Sequence, residues 1–256
     1  MTELLSEPFR VYWIPGCTSC LKLKEFMKKQ GIPFVSINAV EQANARQELE
    51  EMGCKGLPVL ARGREFVIAQ TLEPVIKFLK RDIVLLKLSM PEMMERMLYF
   101  LEAASRLAAQ LPEKHYNYQP MPDRDRTAFK IAYHCVQIPD SFIETVEVGG
   151  TDLMAIFESP PPADMTTASQ VVSYATEVYE RIATWWSRQD QQNVQGVVKT
   201  FYGDQTLFEF AERSTWHCAQ HVRQLQYVLE SLEVPITWRV EPTKYDGLPI
   251  PDGLWA

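Results

Sequence analysis

The stretch FRVYWIPGCTSCLKLKEFMKKQG, residues 9–31, decides the fold of the first part of the chain. Its β-branched and aromatic residues over 9–14 predict a short strand that ends at Pro15-Gly16. Apolar residues at helical spacing, with lysines between them, then predict a helix that stops at Gly31. The stretch therefore predicts a strand, a turn and a helix in direct succession.

The patterns that follow extend this series. We expect a strand within 32–40, a polar helix within 41–53, a hairpin about Gly63 and a last helix with Thr71 as its N-cap. The expected element order is βαβαββα. This order predicts an α/β domain over residues 1–84.

Two cysteines, Cys17 and Cys20, stand where the first strand meets the first helix. Unpaired N–H groups and the helix dipole favour the thiolate at such a position, so the pKa of Cys17 should be lowered. A second cysteine three residues later can resolve a mixed disulfide. The C-x-x-C pattern beside a βαβ order is typical of a redox site, and half of a zinc site is the alternative. The sequence predicts Cys17 and Cys20 as catalytic residues.

With these features, residues 8–81 resemble the glutaredoxin family, which also carries the pair found here as Leu57-Pro58 before the third strand. The resemblance implies a thioredoxin-like fold with a cis proline. It implies that Leu57 and Pro58 bind the cysteinyl part of glutathione. It further implies that the turn containing Gln70 and Thr71 offers N–H groups to the γ-glutamyl carboxylate.

The rest of the chain, residues 85–256, changes to long amphipathic stretches with almost no alternating strand pattern. Four long helices joined by one long connection in the middle predict a four-helix bundle, followed by an extended tail rich in proline. The expected helices cover residues 89–111 with Ser89 as N-cap, 123–147, 166–189, and a stretch from the N-cap candidate Asp204 to just before Pro235.

Three of the four histidines are candidate metal ligands. His217 and His221 are four residues apart and share one face of the last helix, at the edge of its apolar stripe. His134 lies on the apolar side of the second helix. Inward-facing imidazoles are costly when charged and unpaired, and a divalent metal takes them in the neutral form. The alternative is three ordinary polar residues at helix borders.

The segments DRTAFKIAYHC, residues 125–135, and TWHCAQHVRQL, residues 215–225, resemble the DinB/YfiT-like superfamily of metal-binding bundles. The resemblance implies that His134, His217 and His221 hold a divalent ion, such as Zn, Ni, Fe or Mn, with one position open. Thiol-dependent members use the metal to bind and deprotonate a low-molecular-weight thiol, which then attacks an electrophile. Such bundles often pair, which implies a homodimer.

Composition excludes several classes of protein. The formal net charge of −7 opposes binding to nucleic acid, and no apolar run reaches the roughly 18 residues needed to cross a membrane. The N-terminus lacks the basic start and apolar segment of a signal peptide, so we expect no export. Five scattered cysteines are typical of a reducing compartment, which predicts a cytoplasmic protein.

Together, the two resemblances imply a metal-dependent transferase, lyase or isomerase. It would use glutathione or a similar thiol against an electrophile or a glutathione conjugate, with the first domain binding or exchanging the thiol. The alternative is a glutaredoxin-type thiol–disulfide oxidoreductase whose bundle is structural or binds a partner. A third hypothesis is a metal- or redox-responsive binding protein without turnover.

Overall fold

The computed structural model describes residues 7–121, 124–149, 156, 159–191, 193–200 and 202–255. The chain divides into two compact units. One contains the chain up to Leu86 together with residues from Pro251 onward, and the other runs from Lys87 to Ile250. The main boundary therefore lies two residues after the one expected at 84.

The first unit has the βαβαββα order that the sequence predicts, and this confirms its fold class. Its four strands form one sheet in the order β2-β1-β3-β4, in which β1 pairs parallel with β2 and antiparallel with β3. The elements are β1 Phe9–Trp13, α1 Thr18–Lys29, β2 Phe34–Asn38, α2 Ala43–Glu51, β3 Val59–Arg62, β4 Glu65–Ile68 and α3 Glu73–Leu79.

The core of this unit forms because α1 turns its apolar face toward the sheet and α3. Leu23 and Met27 of α1 are completely buried with Val11, Leu60 and Val75. The β-branched and aromatic residues of β1 supply the opposite surface, so the strand and the helix of residues 9–31 pack into one core.

The last helix of the unit begins one residue later than expected. The residue before α3 is Leu72, and it forms no side-chain capping bond, so the expectation of Thr71 as N-cap is wrong. Pro74 occupies the first turn of α3, where a missing N–H costs nothing. Thr71 is instead buried, at 2% exposure.

The second unit contains the four long helices expected of a bundle. The last helix packs against the first two, and three of the four begin with a capping box that satisfies their first N–H groups. The helices are α4 Met90–Ala108, α5 Ala128–Val148, α6 Ala168–Ser187 and α7 Leu207–Ser231.

A hairpin precedes α7, where the sequence pattern predicted no strand. β5, Val197–Thr200, pairs antiparallel with β6, Gly203–Thr206. The expected N-cap Asp204 is wrong because this residue lies within β6. The cap is Thr206, whose side chain and Glu209 form a capping box. The T-x-x-E spacing of these two residues was the better signal for the cap. The strands were missed because four residues are too few to show alternation.

The tail was expected to belong with the bundle, and its last described residues contradict this. The N–H groups of Asp252 and Gly253 donate to the Glu25 carboxylate of α1, at 2.5 and 2.9 Å. Lys29 of α1 pairs with the Asp252 carboxylate at 2.9 Å. The end of the chain is therefore part of the first unit, because a carboxylate on α1 binds its backbone.

None of the described helices is both long enough and apolar enough to cross a bilayer.

Candidate functional sites

The first site is the N-terminus of α1, where Cys17 is the N-cap residue. The structure contains a disulfide between Cys17 and Cys20. The Cys17 sulfur also accepts a hydrogen bond from the Cys20 N–H at 3.2 Å. Cys17 is partly exposed and Cys20 is fully buried, which places Cys17 where a substrate thiol can reach it. The helix end therefore presents one sulfur to solvent and holds the second behind it.

The Leu57–Pro58 peptide bond is cis, as the resemblance implied. The carbonyl of Leu57 accepts a hydrogen bond from the Gln70 side-chain amide at 2.5 Å. The same Gln70 side chain accepts from the Ser19 hydroxyl at 2.9 Å, and its backbone carbonyl accepts from the Lys22 ammonium at 3.2 Å. Gln70 therefore ties the cis-proline loop to the helix that carries both cysteines.

The turn that contains Gln70 and Thr71 is buried. Ala69, Gln70 and Thr71 are at most 4% exposed, and the Ala69 N–H donates to the Pro58 carbonyl at 2.8 Å. Binding of a γ-glutamyl carboxylate by the Gln70 and Thr71 N–H groups stays a prediction. The structure thus gives Gln70 a positioning role between two loops, which the spacing of residues alone did not indicate.

The second site lies inside the bundle, where three histidines meet. His134 comes from the second turn of α5, and His217 and His221 come from successive turns of α7. One ring nitrogen from each lies within 4.8 Å of the others. The Nε2 atoms of His217 and His221 are 3.1 Å apart. Two imidazoles that share a tetrahedral zinc ion have nitrogens roughly 3.3 Å apart, so the cluster has the size that a divalent ion needs.

Two glutamines orient these rings. The Gln137 amide nitrogen donates to the Ile156 carbonyl at 2.6 Å, so its oxygen faces the His134 Nδ1, 2.7 Å away. The Gln224 oxygen lies at the same distance from the His221 Nδ1. Each Nδ1 therefore carries the proton and each Nε2 presents a lone pair to the cluster. Such outer partners are typical of histidines that bind a metal.

Both buried rings are kept neutral. Burial lowers the pKa of His134 well below its usual value of 6.5, and the positive charge of Arg126 lowers it further. Burial likewise lowers the pKa of His221, with added effects from His134 and His217. Neutral imidazole is the form that binds metal ions. Donor type, protonation and spacing together fit a divalent transition metal.

A proline in α5 explains how the two ligand helices are joined beside the cluster. Pro139 has no N–H, so the Cys135 carbonyl four residues earlier lacks its usual partner within the helix. The Cys218 thiol of α7 donates to this carbonyl at 3.2 Å. Burial raises the pKa of both thiols. Cys135 and Cys218 are therefore structural groups that hold α5 against α7, next to His134 and His217.

The fourth histidine, His115, lies in a short 3-10 helix and is not part of the cluster. His134 also lines a cavity of about 210 Å³, together with Arg126, Lys130 and Gln137. This cavity gives a small molecule access to His134.

Sequence reasoning identified the histidines but missed the residues around them. A signal was present, because each ligand histidine is followed three residues later by a glutamine, namely Gln137, Gln220 and Gln224. Residues three apart are neighbours on a helix surface, so the repeated H-x-x-Q pattern predicts support for the ring. Arg126 had no comparable signal, because it precedes α5 and reaches the cluster only through the fold.

Comparison with known proteins concerns the first unit. Residues 9–67 match the family model described as Glutaredoxin. Over 52 residues the chain is 33% identical to the "Uncharacterized glutaredoxin-like 8.6 kDa protein in rubredoxin operon" of Clostridium pasteurianum. The alignment covers 20% of this chain and 69% of that protein. The family match ends before the bundle, so the likeness of the bundle to the DinB/YfiT-like superfamily stays a prediction.

Proposed function

Through its N-terminal domain the chain belongs to the glutaredoxin family, and on this premise we propose a glutathione-linked enzyme with two sites. Thiol–disulfide exchange at Cys17 and Cys20 is the first activity. The second site is a divalent metal centre at His134, His217 and His221, where an electrophile reacts. The observation that carries the proposal is the convergence of three imidazoles in a chain that already has a thiol-exchange domain.

At the first site, the Cys17 thiolate attacks one sulfur of a substrate disulfide. The substrate S–S bond breaks, one thiolate leaves, and a mixed disulfide forms on Cys17. Cys20 then loses its proton and attacks the Cys17 sulfur, which releases the second thiol and leaves the Cys17–Cys20 disulfide. The substrate gains the two electrons that the cysteines lose. Two glutathione molecules restore the dithiol, and Leu57 and Pro58 are the expected binding residues for the cysteinyl part of glutathione.

At the second site, His134, His217 and His221 would hold the ion through Nε2, and Gln137 and Gln224 would fix the rings. A bound divalent ion lowers the pKa of a thiol and polarises a carbonyl group. Three protein ligands leave at least one position for the thiol or the electrophile. An ion with three protein ligands and an open position suits a transferase, lyase or isomerase.

A second candidate function is a thiol–disulfide oxidoreductase whose bundle is stabilised by a structural ion. The burial of the cluster favours it, because His134 is 5% exposed and His221 is 1% exposed. In that case the metal would add to stability and take no part in turnover.

The test combines metal analysis with two assays on the full chain. Purified protein should contain close to one equivalent of a divalent metal, and His217→Ala should lose most of it while His115→Ala keeps it. With the metal bound, the protein should conjugate glutathione to an activated aryl chloride. His217→Ala should lose this conjugation and keep disulfide reduction.

The variant Cys17→Ser separates the two candidates. If the bundle has its own activity, this variant loses disulfide reduction but retains much of the conjugation. A protein that holds one equivalent of metal, reduces disulfides and conjugates no electrophile would support the oxidoreductase with a structural ion. A protein without metal would disprove the metal centre in both candidates.

A further inference from the structure

The cavity beside His134 carries a net positive charge. Its described lining contains two basic residues, Arg126 and Lys130, and one acidic residue, Asp125. Asp125 is engaged already, because its carboxylate pairs with the Lys130 ammonium at 2.8 Å. The charge that remains for a ligand is that of Arg126.

Arg126 is placed where an anion would bind well. Within the described part of the chain, no carboxylate forms an ion pair with its guanidinium. Burial, together with the charge of Arg124, lowers its pKa to about 10, so the side chain is still a cation at neutral pH. A partly buried cation without a counter-ion is costly, and an arriving carboxylate would remove that cost.

Two more arginines lie close enough to the cluster for their charges to act on it. The charges of Arg124 and Arg213 both act on His134. Arg213 is 3% exposed and lies one helical turn before His217, so both side chains project from the same face of α7. A metal ion would add further positive charge, which an anionic ligand would compensate.

The size of the cavity limits what it can hold. An apolar cavity of about 150 Å³ holds one benzene molecule, so a cavity of about 210 Å³ holds roughly eight non-hydrogen atoms. Succinate has this size, whereas a whole glutathione molecule is larger. The cavity therefore fits a small organic acid, or one carboxylate-bearing end of glutathione.

We propose that this cavity binds the carboxylate group of a small organic acid through Arg126, next to His134. Arginine suits the task because its planar fork binds both carboxylate oxygens. The inference deepens the proposed function, on which it rests for the reaction, by naming a carboxylate as part of the substrate. Binding of the carboxylate to Arg126 does not itself require the ion.

The test measures binding of succinate and of its neutral analogue succinamide to the full chain by calorimetry. Succinate should bind the parent protein about tenfold tighter or more, since a hydrogen-bonded ion pair is worth at least about 1.4 kcal/mol. Arg126→Gln should remove this preference. Arg188→Gln is the matched control, because it deletes the same charge at another cavity of the bundle and should keep the preference.

Equal binding of succinate and succinamide would overturn the proposal, and so would an Arg126→Gln variant that binds succinate like the parent. Metal content, measured on the same samples, tests the proposed function separately, because Arg126 is not a ligand and its variant should keep the ion. Competition between succinate and glutathione would assign the carboxylate to the tripeptide. Independent binding would assign it to the second substrate, and either result requires the Arg126 site.

Discussion

The two candidate sites differ in how their residues are brought together. Cys17 caps α1 and Cys20 lies in its first turn, so a single helix end brings the two sulfurs together. The histidines come from two helices that are distant in sequence and meet only when α5 packs against α7. One site is thus a property of a local segment, and the other is a property of the packed core.

This difference has a consequence for how each site responds to change. A site at a helix end loses function when its reactive atom is removed and tolerates change elsewhere. A site in a core depends on every group that orients its members, because an imidazole turned away from the cluster no longer binds with the others. Substitutions at the two sites should therefore differ in which neighbouring residues matter.

The largest effect is expected from Cys17→Ser. Only Cys17 is both partly exposed and at the helix N-terminus, so its loss should reduce the rate of disulfide reduction to the uncatalysed rate. Cys20→Ser should keep exchange on glutathione mixed disulfides, which need one thiol. Reduction of a glutathionylated peptide is the measurement. Cys54→Ser is the control, because the Cys54 thiol donates a hydrogen bond to the Gly56 carbonyl and lies outside the site.

If Cys17→Ser retains substantial reduction, the reactive thiol is not at the helix end, and the local description of the first site fails.

A smaller effect is expected from Gln137→Leu, which leaves all three histidines in place. Without the acceptor for its Nδ1 proton, His134 loses its fixed orientation, and metal affinity should fall about 10- to 100-fold. Competition with a metal chelator measures this. Gln189→Leu is a matched control in the same unit, since the Gln189 amide only donates to the Trp185 carbonyl. Unchanged affinity in Gln137→Leu would mean that packing alone orients the ring.

The same contrast explains what the sequence could predict. The element order of the first unit, the cysteine pair and the four long helices all follow from local periodicity and caps. The role of Gln70 does not, because its partner Ser19 lies 51 residues away. The role of Arg126 does not follow from local patterns either, because no motif in the neighbouring sequence indicates the cavity. The hairpin before α7 was missed because its strands of four residues are too short to show alternation.

Local sequence patterns predict the histidine cluster in part. The spacing of His217 and His221 predicts a shared face, and the apolar side of the second helix makes His134 a third candidate. The resemblance then implied that all three hold one ion. The H-x-x-Q pattern occurs at all three histidines, and the structure shows the contact between ring and glutamine at His134 and His221.

A third prediction concerns pH and the metal-free protein. The pKa values of His134 and His221 are lowered in the folded state, so the unfolded chain takes up protons below about pH 6.5 that the folded chain does not. The free energy of unfolding of the bundle should therefore be fully retained above that pH and fall as the pH decreases toward the lowered values. Hydrogen exchange in α5 and α7, corrected for the pH dependence of the intrinsic exchange rate, should accelerate accordingly.

Excess metal should suppress this acceleration, because binding favours the neutral, folded form. Exchange in the sheet of the first unit is the internal control, since the histidines lie outside it. Equal acceleration in both units would contradict a specific effect of the buried imidazoles.

The smallest effect tests whether the first site is as local as its motif suggests. The tail binds α1 through Glu25, and a Cβ atom added to Gly253 would lie 3.1 Å from both the Glu25 carboxylate and the Leu21 side chain. Gly253→Ala should therefore weaken this contact by about 0.5 to 1 kcal/mol. Amide exchange within α1 should become roughly two- to fivefold faster. Gly196→Ala is the control, because its nearest side-chain contact would be an ordinary 3.6 Å.

Unchanged exchange in Gly253→Ala would show that α1 keeps its stability without the tail, and that residues 1–84 suffice for the cysteine site. Faster exchange would mean that this site, too, depends on residues far away in the sequence.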